Sequence, residues 1–111
     1  MDLSPEVLTK LERLMAARIQ ILPTLGAGRH FGFERDGYAA LVERRENGFG
    51  TIGSAGILSE KGFAVLVHRE GKAYFIAKNF EQRATDEQVA ELRAFQGDLE
   101  RALGAVGPVG N

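Results

Sequence analysis

The chain has 111 residues, 44% of them hydrophobic and 26% charged, with a formal net charge of −1. That composition fits one ordinary globular domain with its own core, and near-neutrality argues against strong nonspecific attraction to nucleic acid or anionic membrane. There is no cysteine, which excludes disulfides, thiolate metal sites and thiol nucleophiles. No apolar run approaches the roughly 20 residues of a membrane span, and the acidic start at Asp2 and Glu6 lacks a signal peptide's basic region, so a cytoplasmic location is expected.

The first segment reads as a helix. Ser4 supplies a capping hydroxyl, Pro5 suits the first helical position, and Glu6 sits at the positive end of the helix dipole. Val7, Leu8, Leu11, Leu14, Met15, Ile19 and Leu22 recur at helical spacing until Pro23, so the helix is expected to run to that proline with these residues on its buried side.

Turn signals then arrive at regular intervals. Asp36-Gly37, Asn47-Gly48 and Glu70-Gly71 separate apolar runs, and Ser59-Glu60-Lys61-Gly62 makes a longer turn. Five antiparallel strands are predicted, at about 29–35, 38–46, 49–58, 63–69 and 72–79. A second helix follows, opened by a Thr85/Gln88 capping box, striped by Val89, Leu92, Phe95, Leu99 and Leu103, and closed at Gly104. The fold expected is α+β: an N-terminal helix, a five-stranded antiparallel meander sheet and a C-terminal helix in a two-layer sandwich. Residues 1–104 form the single domain, and 105–111 a flexible tail.

From the Asn47-Gly48 turn into the third strand runs GFGTIG, Gly48 to Gly53, a literal match to the G-x-G-x-x-G pattern of dinucleotide-binding loops. Such a loop needs a buried apolar strand before it and a phosphate-facing helix after it. Here the preceding strand ends in Glu43-Arg44-Arg45-Glu46-Asn47, and the following SAGILSEKG is too short and glycine-punctuated for a crossing helix. The expectation is a bent strand shaped by Gly50, Gly53 and Gly56, with no cofactor.

Two-residue turns set register, and register assigns faces. Phe33 falls opposite Ala40, Phe31 opposite Val42, Val42 opposite Gly53, Ala40 opposite Ala55, Leu66 opposite Phe75 and Leu58 opposite Phe63. One face becomes the core, with His68 near its end as a structural histidine. The other carries His30, Glu34, Leu41, Glu43 and Arg45 on early strands, and Phe63, Val65, Val67, Tyr74 and Ile76 on late ones, fringed by Arg69, Lys72 and Lys78. A solvated face should alternate to polar, so a cover is expected over the apolar half.

The leading functional reading is a small noncatalytic protein-interaction or regulatory module. It is expected to form a homodimer through Phe63, Val65, Val67, Tyr74 and Ile76, with Arg69 and Lys72 at the rim meeting Glu34 or Glu43 of the second copy; another protein is the other candidate partner. The first alternative is a small-molecule-binding protein or enzyme with its site on the curved sheet at His30 and Glu43, a pair that could act as an oriented general base. The second is a nucleic-acid-binding sheet surface, for which Arg44, Arg45 and the Arg69, Lys72, Lys78 fringe supply cations and Tyr74 a stacking ring, diluted by Glu34, Glu43, Glu46 and Glu70. With His30 and His68 on opposite faces, no metal site is expected.

Overall fold

Ser4 opens the first helix as its sequence context requires. Its Oγ accepts from the Val7 N–H at 3.3 Å, and Pro5 begins α1 (Pro5–Ala16). The computed structural model describes residues 4–22, 25, 28–46 and 48–104; the expected stop at Pro23, the Asn47 turn position and the expected tail at 105–111 lie outside them. Contrary to the helical periodicity, α1 stops at Ala16. Arg18 takes a left-handed conformation (φ 61°), its N–H donates to the Met15 carbonyl at 3.0 Å, and the Ile19 N–H reaches back to the Leu14 carbonyl at 2.9 Å. This is a Schellman cap, and Leu14 and Ile19, both buried, give it the customary apolar contact.

The chain after this cap forms a short strand, β1 (Gln20–Leu22), then β2 (His30–Arg35), β3 (Tyr38–Arg45), β4 (Gly48–Ser59), β5 (Gly62–Arg69), β6 (Lys72–Ala77), β7 (Phe80–Arg83) and α2 (Asp86–Leu103). The architecture is α+β with a helix at each end of an antiparallel sheet. Its seven strands lie in sequence order, two more than the sequence reading anticipated. Both additions are edges. β1 pairs with β2 through Ile21 and Phe33, and β7 with β6 through Ala77 and Phe80. The second edge follows a two-residue connection, Lys78-Asn79, in which Asn79 takes φ 60°. Asparagine tolerates that region where most residues do not.

Two of the expected tight turns are present, with both central residues at positive φ: Asp36 (53°) with Gly37 (89°), and Glu70 (54°) with Gly71 (78°). The β3–β4 register differs at this end, because Arg45 pairs with Gly48, a residue expected in the turn. Two bulges then restore the expected register. Arg44 faces Phe49, Val42 faces Ile52 and Ala40 faces Ala55, so β4 carries one extra residue in each interval. Val42 therefore meets Ile52 rather than Gly53, and a fully buried isoleucine occupies the core. Gly50 and Gly53 sit inside the bulged intervals, where a strand bends and twists most.

Both helices pack on the same side of the sheet. Leu14 of α1 and Leu92, Phe95, Leu99 and Leu103 of α2 join Phe33, Val42, Ile52 and Phe75 in one buried cluster. The stripe expected along α1 is narrower than its periodicity implies: Val7 and Leu14 are buried, while Leu8 and Met15 are 45% and 76% exposed. The α2 stripe holds, as do its capping box and its left-handed Gly104 terminus. Arg35, at the end of β2, ties the layers together. Its Nη1 donates to the Ala17 carbonyl at 3.1 Å and to Asp98 Oδ2 at 2.8 Å, and its guanidinium lies 5.7 Å from the Phe95 ring centre.

Candidate interface

The side of the sheet away from the helices is set by pleat alternation. Phe31, Phe33 and Val42 point into the core, which sends His30, Gly32 and Glu43 outward; Leu66 and Phe75 point inward, which sends Val65, Val67, Tyr74 and Ile76 outward. At the β2 end the protein covers itself, for Leu25 fills the space beside Gly32, its Cδ2 standing 2.8 Å from where a Cβ would be. Over β5–β7 neither helix intervenes. There, registration builds two cross-strand rows, Val65–Ile76–Glu81 and Val67–Tyr74–Arg83. Phe63, Val65, Val67, Tyr74 and Ile76 are each half-buried by their neighbours, and Leu58, opposite Phe63, is 36% exposed. The five apolar residues read from the sequence thus do fall on one side.

Cations gather around Tyr74. The Arg69 guanidinium lies 5.2 Å from its ring centre and that of Arg83 5.9 Å, a geometry that adds cation–π attraction while holding the long side chains over the patch. Arg69 also reaches Glu81 at 3.5 Å, an exposed pair of small energetic value. Lys72 lies directly opposite Arg69 and is exposed. Arg83 and Glu81 were missed by the sequence reading, which ended its last strand at residue 79; the available signal was Asn79 as the αL residue of a two-residue hairpin.

His30 and Glu43 are partners across β2 and β3, as their register required. The Glu43 carboxylate, however, is engaged by Arg45 Nε at 2.6 Å. That hydrogen bond and charge, helped by the Thr51 backbone and by His30, hold its pKa below the ordinary carboxylate value. A carboxylate so stabilised in its charged form is a weaker proton acceptor. The cleft of about 560 Å³ at this end of the sheet is lined by Phe31, Arg44, Arg45 and Glu46. Arg44 stacks 4.5 Å from the Phe31 ring centre there, inside an aromatic cluster with Phe33 and Phe49. His68, opposite Ala73, is exposed at the sheet end.

The glycines of GFGTIG lie within or at the start of β4, and Gly56 follows in the same strand. Gly56 has a steric reason. A Cβ there would overlap the Ala64 carbonyl oxygen of β5 and stand 2.9 Å from Val65 Cα. Among the described residues no helix is long and apolar enough to cross a membrane. No protein-family model matches the chain, and comparison with curated proteins and with solved structures finds no match.

Proposed function

We propose that this protein is a small noncatalytic interaction module, a single domain of residues 1–104 that forms a homodimer through the outer face of β5–β7. The observation that carries the reading is the placement of both helices on one side of the sheet, which leaves Val65, Val67, Tyr74 and Ile76 contiguous and half-exposed on the other. Contiguity is what distinguishes such a patch from the scattered apolar residues of any protein surface. Most soluble oligomers are homo-oligomers of twofold symmetry, so a second copy is the simplest cover.

Full burial of an apolar side chain of this size is worth about 1.5–3 kcal/mol. These side chains already shelter one another, so each gains only part of that on association, and the proposal is of a modest dimer with a dissociation constant on the order of micromolar. Analytical ultracentrifugation from roughly 1 to 300 μM, a range bracketing that affinity, should show the mass rising from one chain to two. A single-chain mass throughout refutes the homodimer.

A further inference from the structure

The two cross-strand rows on the outer face are complementary to each other. Val65–Ile76–Glu81 runs apolar, apolar, acidic, and Val67–Tyr74–Arg83 runs apolar, apolar, basic, in the same strand order β5, β6, β7. A twofold axis lying between stacked sheets and at right angles to the strands keeps each strand over its own copy and exchanges the rows. Val65 then lies over Val67 of the second copy, Ile76 over Tyr74, and Glu81 over Arg83, each contact occurring twice. An axis parallel to the strands through β6 preserves the rows instead. It sets Glu81 over Val65 and Arg83 over Val67, desolvating charges against aliphatic side chains with nothing in return.

We infer that the dimer proposed above uses the axis at right angles to the strands, with Glu81 of each copy paired to Arg83 of the other. Aligned face-to-face stacking is an ordinary mode of sheet packing. Both charged residues stand on an edge strand, at the margin of the apolar block, where interface charges govern orientation more than affinity. Paired this way, the carboxylate and the guanidinium in adjacent rows of β7 each meet their opposite across the axis. The same axis brings Lys72 towards Lys78 of the second copy at the two ends of the patch, where both are exposed and solvent and salt screen their repulsion.

The test is a charge exchange read by sedimentation equilibrium, with circular dichroism confirming the fold of every variant. Glu81→Arg alone sets arginine against arginine twice per dimer, and Arg83→Glu alone sets carboxylate against carboxylate. Each should raise the dimer dissociation constant about tenfold, from two modest pairs lost and two repulsions gained. The double variant Glu81→Arg/Arg83→Glu restores both intermolecular pairs, losing only the exposed 3.5 Å contact of Glu81 with its own Arg69, which is of small value, and should return to within about threefold of the original. A dimer indifferent to both single changes, or a double variant as weak as the sum of the singles, overturns this geometry while leaving the interface reading intact. A wild-type chain that is monomeric throughout overturns the interface reading and this inference with it.

Discussion

Gly56 is the position where one added methyl group should do the most damage. It stands at the last registered pair between β4 and β5, opposite Val65, on the strand that joins the bulged half of the sheet to the outer patch. In Gly56→Ala the new Cβ overlaps the Ala64 carbonyl oxygen and lies 2.8 Å from that carbonyl carbon and 2.9 Å from Val65 Cα, inside the 3.4 Å at which ordinary contact begins. All three atoms are backbone, so no side chain can rotate aside, and the strands must part. Overpacking of this kind costs about 1–3 kcal/mol, and a disturbed ladder hydrogen bond adds roughly 1 kcal/mol. The expected loss is about 3 kcal/mol, a large share of a small domain's stability and a drop in Tm on the order of 12 °C. Urea unfolding followed by circular dichroism measures it, with Gly53→Ala as the control, because a Cβ there meets only the Leu41 carbonyl oxygen at 3.6 Å. A Gly56→Ala loss below about 1 kcal/mol, or one no larger than the control's, would refute the argument from close strand approach.

Gly97 offers the opposite outcome. It lies within α2, and a Cβ would meet only the Arg101 guanidinium tip at 3.5 Å, so Gly97→Ala should stabilise by about 1 kcal/mol; an unchanged urea midpoint would contradict that. Asp98 has its pKa lowered first by its hydrogen bond from Arg35 and further by Arg101. A depressed carboxylate contributes stability above its unfolded pKa of about 3.9 and loses it as pH falls through the folded value. Asp98→Asn should therefore be less stable than wild type at pH 7, by a gap that closes toward pH 3; a gap independent of pH would show that the ion pair contributes nothing.

The sequence made some elements plain because a local chemical signal carried each of them. Ser4-Pro5, Thr85 with Gln88, and the DG and EG turns each have a direct backbone consequence, and those caps and turns are present. The misses share a physical cause, a left-handed or irregular backbone. Arg18 caps α1 where glycine would ordinarily be sought, so Ile19 and Leu22 read as helix and β1 went unseen. Asn79 is of a type that tolerates the left-handed region, and because that signal was not used the last hairpin went unread, and with it Glu81 and Arg83. The pairing of Arg45 with Gly48 offset the β3–β4 register, and the bulges had recovered only half of it at Val42, which meets Ile52 rather than Gly53; the faces of β5 and β6 were undisturbed, which is why Val65, Val67, Tyr74 and Ile76 fall together as read. The Arg45 grip on Glu43 is a same-strand contact two residues apart that a cross-strand reading of His30 and Glu43 does not show.

Val65→Arg tests most directly whether a second copy of the chain covers the outer face of β5–β7. Val65 sits mid-patch, in register with Ile76 and Gly56 and pointing away from the helix-facing core, so the substitution places an unpaired charge in the proposed contact while leaving the core in place. In sedimentation velocity at about 100 μM, a concentration chosen above a micromolar dissociation constant, the wild type should run as a dimer. Val65→Arg should run as a monomer with an unchanged circular dichroism spectrum. A wild type and a variant of equal mass, both one chain or both two, would contradict the account.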